Sequence, residues 1–336
     1  MSFIMRAARA GDLQHLYEMA KLTGGGFTNL PADRKSLGQK LERSAAALDK
    51  DSGTLADELF VLVLENPDTG DIRGTCQLLT QVGQKWPFYS YRLSTLSQHS
   101  VELSQTFRAE ILSLVTDLEG SSEVGGLFLH PNERAGGLGM LIARSRYLFI
   151  AMHRERFADR ILAELRGVID EKGDSPFWDS IAGRFFGMSF DEADTFNALH
   201  GNQFIADLMP KHPVYVAMLS EAARSVIGRP HISGRAAMRM LENEGFTHEN
   251  YVDIFDGGPT MTTRTDQVRS IANARHSTIS DLSGDGILSL VATGKLDRFR
   301  CVYGKVGETA DGVTLDETAA TLLAVAPGDS IWHIER

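Results

Sequence analysis

Cysteine is almost missing from this sequence: Cys76 and Cys301 are the only two in 336 residues. They cannot build a disulfide framework, and neither lies in a CxxC pair, so thiol-based zinc or redox chemistry has no footing. Buried free thiols in a reducing cytoplasm are the expectation that remains. No His pair at helical spacing offers a metal site either. The opening MSFIMRAARAGD has no apolar core and no cleavage signal, and no apolar run approaches the roughly 20 residues of a membrane span. Positive charge is in deficit, with 34 Lys+Arg against 44 Asp+Glu and a formal net charge of −10. That balance argues against a nucleic-acid binder, which carries a basic face. Repeats and low-complexity blocks are absent. What is present is an ordinary globular composition, 43% hydrophobic and 23% charged, in a length that allows one large domain or two smaller ones.

The most informative stretch is GGLFLHPNERAGGLGMLIARSRYLFI, Gly125 to Ile150. A short apolar run reads as a buried strand, a polar loop with Arg134, Gly136, Gly137 and Gly139 follows, and an apolar-periodic helix starts near Met140. A glycine-rich loop entering a helix N-terminus exposes convergent N–H groups in a positive dipole field, which suits a pyrophosphate. The loop lacks the Gly-Lys-Ser/Thr of a P-loop and the GxGxxG spacing of a dinucleotide fold. Arg134, Gly137 and Gly139 fit Arg/Gln-x-x-Gly-x-Gly, which resembles the coenzyme A loop of the GNAT superfamily of N-acyltransferases.

Around it, the pattern predicts a strand at Ser2–Ala8, a helix from Asp12 to about Leu22, and a helix over Asp33–Leu48. Strands follow at Glu58–Glu65 and Ile72–Val82, joined by a turn at Asn66–Gly70. More strand-like text lies at Pro87–Leu93, Glu110–Thr116 and Arg160–Asp170. Ser175 and Pro176 read as the cap and first residue of a helix. Val214–Leu219 and Tyr251–Phe255 read as strands, and Arg235–Glu244 as a helix ending at Gly245. The order predicts an α/β (α+β) fold with a GNAT-like mixed central sheet flanked by helices over residues 1–262. A small β-rich C-terminal unit is expected over 263–336.

Several longer words extend the resemblance: GGFTNLP at 25–31, PFYSYR at 87–92, LFLHPNER at 127–134, SPFW at 175–178, IGRPHISG at 227–234 and DIFDGGP at 253–259. On these the chain resembles the arginine N-succinyltransferase family. The resemblance implies succinyl-CoA as co-substrate, no permanently bound cofactor, L-arginine as acceptor, and a role in arginine catabolism. It implies succinyl-CoA binding at Leu127 and a proton-transferring His231. A cytoplasmic enzyme acting on small molecules, without nucleic acid or membrane, and assembled as a homo-oligomer is expected.

The residues can be read for the same chemistry. N–H groups from Arg134 through Gly136, Gly137, Leu138, Gly139 and Met140 would hold the phosphates, with the Arg134 guanidinium as charge partner. A strand N–H, that of Leu127, would receive the oxyanion, its side chain being otherwise a core leucine. His231 titrates near neutrality and could act as acid or base. Arginine needs a carboxylate opposite its guanidinium. Asp253, Asp256, Glu164, Asp170 and Asp174 are all candidates, each equally readable as a solvated group or turn cap. Two alternatives stay open: ornithine or another acyl-CoA as substrate, and a subunit of a hetero-oligomer.

Overall fold

In a computed structural model, residues 3–23, 29–50, 53–134, 136–170, 172–200, 203–209 and 211–336 are described. The strands are β1 (Ile4–Ala7), β2 (Leu59–Glu65), β3 (Ile72–Leu79), β4 (Ser90–Ser100), β5 (Gln105–Val115), β6 (Ser122–Leu129), β7 (Arg160–Glu164) and β8 (Val214–Tyr215). They continue with β9 (Thr247–Val252), β10 (Pro259–Arg264), β11 (Arg275–Leu282), β12 (Ile287–Thr293), β13 (Arg300–Thr309), β14 (Gly312–Leu315) and β15 (Ser330–Glu335). The main helices are α1 (Leu13–Lys21), α2 (Arg34–Leu48) and α3 (Leu138–Met152).

All these strands join one hydrogen-bonded system, ordered β12-β15-β11-β14-β13-β1-β2-β3-β6-β7-β10-β9-β4-β5-β8. β12 also pairs with β13, so β13, β14, β11, β15 and β12 close into a five-stranded barrel. Strand β1 ties it to the main sheet through Met5 opposite Cys301. The helix Glu317–Leu323, capped by Asp316, packs Ala319, Ala320 and Leu323 into the barrel's apolar cluster.

The main sheet is covered on both faces. α1 and α2 lie on one, where Leu16, Leu37 and Leu41 pack with Val61, Val63 and Phe128. α2 begins where Asp33 accepts a hydrogen bond from the Ser36 N–H at 2.7 Å, an N-cap. α3 lies on the other face, buried continuously from Leu141 to Ile150. A helix apolar on all sides belongs in a core. Its buried Arg144 is paired with Glu244 at 3.3 Å and bonded to Ser270 at 2.8 Å, so the charge is not left alone.

The strand expected over Ile72–Val82 stops at Leu79, and three others end early, each for a local reason. β7 stops at Glu164 because Gly167 sits against the Asp256 carbonyl, with no room for a side chain, and the chain turns there. Only Val214 and Tyr215 pair with β5, since Val216–Met218 coil into a helical turn. The strand expected at Tyr251–Phe255 is instead Thr247–Val252, ended by a turn in which the Gly257 N–H reaches the Asp253 carbonyl at 3.1 Å. β10 runs across residues 262 and 263, within the main sheet. Residues 24–28, which include Gly25–Thr28 of the GGFTNLP motif, lie outside the described residues.

Candidate active site

The site starts at a discontinuity in the sheet. β6 and β7 run parallel but pair only at Ser122–Ile161 and Glu123–Leu162. Past Glu123, β6 continues to Leu129 bonded only to β3. Its far edge, Gly125–Leu129, therefore borders an opening toward β7. A bulge deforms the same stretch: Gln77 faces Gly125 and Thr75 faces Phe128, leaving Gly126 and Leu127 opposite Cys76. Gly126 takes φ 58°, which favours glycine. The extra residue reverses the alternation. Phe128 joins the α1/α2 face, while Leu127 and Leu129 pack toward the α3 core. The Leu127 side chain is thus core packing, and only its backbone borders the opening.

The chain then runs directly into the glycine-rich loop. His130 caps the turn Pro131–Glu133, and Arg134 follows, exposed and without an ion-pair partner among the described residues. Gly136 and Gly137 take φ 71° and 84°, and α3 begins at Leu138, two residues before the expected start. The N–H groups of Met140 and Leu141 both turn back to the Gly137 carbonyl, at 3.0 and 3.1 Å. Those of Leu138 and Gly139 precede any intrahelical partner, as at every helix start. Space beside Gly139 is open, its nearest neighbour for an added Cβ being Leu129 at 4.0 Å. The C-terminal barrel contributes here as well. Tyr303 donates from its hydroxyl to the Gly137 carbonyl at 3.2 Å, and the Arg336 guanidinium lies 4.9 Å over the Tyr303 ring and against Gly137. Nothing in the sequence near the loop signals residues so far along the chain.

His231 stands at the other end of the opening. Pro230 bridges Gly167, and the His231 N–H donates to the Arg166 carbonyl at 2.8 Å, so the imidazole rides just past the end of β7. Nδ1 lies 2.7 Å from the Ser233 hydroxyl and accepts from the Ser233 N–H at 3.3 Å. Nε2 makes no hydrogen bond among the described residues. Partial burial, then the positive Arg166, hold the imidazole pKa below its usual value.

Between β6 and β9, the α1/α2 face carries a stripe of polar groups. Glu123 on β6 faces Leu162, Glu164 on β7 faces Thr260, and Leu162 faces Thr262 on β10, so all share one face. Lys40 of α2 reaches over it, donating to the Asn29 carbonyl at 2.8 Å. Burial lowers its pKa to about 8 despite the opposing pull of Glu123. Burial raises the Glu123 pKa, countered by Lys40 and Asn29. Glu164 is pushed well above the usual carboxylate range by burial, then by Asp253, Glu123 and Asp256.

The five candidate carboxylates now separate. Asp253 accepts from the N–H groups of Phe255 and Asp256 at 2.7 and 2.9 Å, and Asp256 from those of Gly167 and Gly258 at 2.7 and 2.8 Å. Both hold turns. Asp170 accepts from Lys172 and Asp174 in a surface turn, which keeps its pKa below the ordinary value. That turn also carries Asp174. Glu164 alone of the five lies in the stripe with no hydrogen bond or ion pair among the described residues. Glu123 was missed at the sequence level, because a lone acid in an apolar strand gives no signal. Phe177 and Trp178 are fully buried in a separate core. No group of His, Cys, Asp or Glu among the described residues could hold a metal, and no helix among them could cross a membrane.

A parallel strand pair that opens, a bulge at the opening, and a glycine loop feeding a helix together define a GNAT-type acyltransferase fold. The comparisons make this specific. A family model described as arginine N-succinyltransferase beta subunit matches residues 3–270, and one for its C-terminal domain matches 271–335. Arginine N-succinyltransferase of Enterobacter sp. (strain 638) is 41% identical over 333 residues, covering 98% of this chain and 96% of that protein. The same-named protein of Shigella flexneri is 39% identical with the same coverage. The solved arginine/ornithine succinyltransferase subunit AI from Pseudomonas aeruginosa superposes with a TM-score of 0.91 at 33% identity, covering 99% of this chain and 98% of that one. The chain belongs to the arginine N-succinyltransferase family.

Proposed function

We propose that this chain transfers the succinyl group of succinyl-CoA to the α-amino group of L-arginine, giving CoA and N2-succinyl-L-arginine. The observation that carries the reading, in a chain of this family, is the open edge Gly125–Leu129 leading straight into the Gly136–Met140 loop. The loop Arg134, Gly136, Gly137, Leu138, Gly139 and Met140 holds the pyrophosphate, chiefly through the Leu138 and Gly139 N–H groups that have no intrahelical partner. The acyl chain then lies along the opening, with the thioester carbonyl against the Leu127 N–H, which stabilises the oxyanion. The arginine amine attacks, the C–N bond forms, and collapse breaks the C–S bond. One proton must leave the α-ammonium before attack, another must leave the nitrogen after it, and the thiolate gains one. A depressed imidazole pKa keeps His231 neutral at neutral pH, and Nε2 is available, so it supports the base role first. The same reading makes the protein a cytoplasmic homo-oligomer of arginine catabolism. A second acceptor, ornithine, is favoured by the name of the Pseudomonas aeruginosa subunit.

The test is free-thiol release from succinyl-CoA or acetyl-CoA with arginine or ornithine. Succinyl-CoA with arginine should give the highest kcat/KM. Equal use of both acyl donors would overturn the donor assignment. Failure of the wild-type chain to use arginine would overturn the acceptor.

A further inference from the structure

Resting on the reading of the chain as an arginine acyltransferase, we propose that the acceptor's guanidinium is bound in the stripe on the α1/α2 face, by Glu164 with the hydroxyls of Thr260 and Thr262. Glu164 sits at the carboxyl end of β7, two residues from the Arg166 carbonyl that anchors His231. A side chain bound there extends from an α-amine near His231. Thr260 is directly opposite Glu164 in the β7–β10 ladder, and Thr262 is one step along on the same face. Both threonines are fully buried, and both Oγ1 atoms lack any hydrogen-bond partner. Buried hydroxyls are ordinarily satisfied, so two orphans side by side on one ladder call for an explanation. Two orphan acceptors beside a carboxylate with no cationic partner form the complement of a donor-rich cation.

The charge balance points the same way. Glu123 is offset by Lys40 and Asn29, and Asp253 and Asp256 are held by turn N–H groups. Glu164 has no such offset. A guanidinium brings five N–H donors in a planar fork, enough for both Glu164 oxygens and both hydroxyls. A neutral side chain of the same shape would leave the carboxylate buried and unpaired.

The experiment uses the intact enzyme with L-arginine and L-citrulline, whose ureido group matches the guanidinium in shape but is neutral. Wild type should prefer arginine by at least about 100-fold in kcat/KM, as sites built for a specific polar partner do. Glu164→Gln should cut kcat/KM for arginine about 30-fold or more, leave citrulline within a few-fold, and leave KM for succinyl-CoA unchanged. Thr260→Val, nearly isosteric, should lower kcat/KM for arginine several-fold with the same acyl-CoA KM, and it carries the test if Glu164→Gln does not fold. A folded Glu164→Gln enzyme that keeps the full arginine-to-citrulline ratio overturns the proposal and leaves the transferase reading intact. A wild-type enzyme that succinylates another amine but not arginine overturns the transferase reading itself.

Discussion

The two sides of this site are built in opposite ways. The proposed acyl-CoA side is one continuous piece of chain, Leu127 to Met140, and would work through backbone N–H groups and glycine geometry. The proposed acceptor side is assembled from β6, β7, β10, α2 and the loop at His231, and would work through side chains. A backbone site tolerates changes of side chain but not of backbone conformation. A side-chain site has the reverse sensitivity. It depends on strand register, since a one-residue slip would send Glu164 and Thr260 to the other face.

The largest separation between the two sides is expected at His231. Replacing it with alanine should lower kcat by about 10² to 10⁴, the usual range for a general acid–base group, and leave KM for succinyl-CoA nearly unchanged. The pH–rate profile should also lose the limb that falls on the acid side. With the imidazole pKa held below its ordinary value, activity in the wild type is lost as pH drops through that pKa and the base becomes protonated. Near-normal turnover with an unaltered profile would make His231 a turn residue and return the search to the stripe.

A smaller effect should appear on the acyl-CoA side, where two neighbouring glycines are expected to fail differently. Gly137 holds φ 84°, so Gly137→Ala strains the backbone itself, while the Arg336 guanidinium beside it must swing away from the added Cβ. It should lower stability by about 1 kcal/mol. Gly139 is helical with open space around it, and Gly139→Ala should hold or slightly raise stability. Its added methyl group would instead meet the phosphates, raising KM for acyl-CoA about 10-fold or more with kcat preserved. Donor saturation unchanged in a folded Gly139→Ala enzyme would remove this loop from the binding assignment.

This contrast also explains what could be read before the fold was seen. Contiguous features are legible: the helix over Asp33–Leu48, Ser175–Pro176 as a helix start, and the strand–loop–helix at Gly125–Ile150 all use neighbours in sequence. The apolar run Arg160–Asp170 predicts a longer strand than β7, because it does not reveal that Gly167 must turn against Asp256. β11, RHSTISDL, gives no strand signal in the sequence, since its exposed polar residues hide the alternation that the barrel imposes. Glu123 and Thr260 were illegible for the same reason. Each is unremarkable in its own strand and acquires meaning only across a ladder.

The smallest effect tests the acceptor side without substrate, through stability. Asp194 lies at the edge of that region, its pKa raised to about 6 by burial, then by Asp253 and Asp191, with Arg166 opposing. A carboxyl whose folded pKa exceeds its unfolded value binds its proton more tightly when folded. Its contribution is fully present below the unfolded pKa near 3.8 and is lost as pH rises through about 6. Above that, the ionised group weakens the fold. Asp194→Asn removes the ionisation, so the variant should be more stable than wild type by about 1–2 kcal/mol at pH 8, after allowing for partial solvent exposure. The difference should shrink steadily below pH 6 and vanish near pH 4. Urea unfolding at pH 4, 6 and 8 measures it. A variant less stable than wild type at pH 8 would mean that the Asp194–Arg166 attraction outweighs the surplus of negative charge, and the acceptor side would then not be the under-neutralised region that a cationic substrate completes.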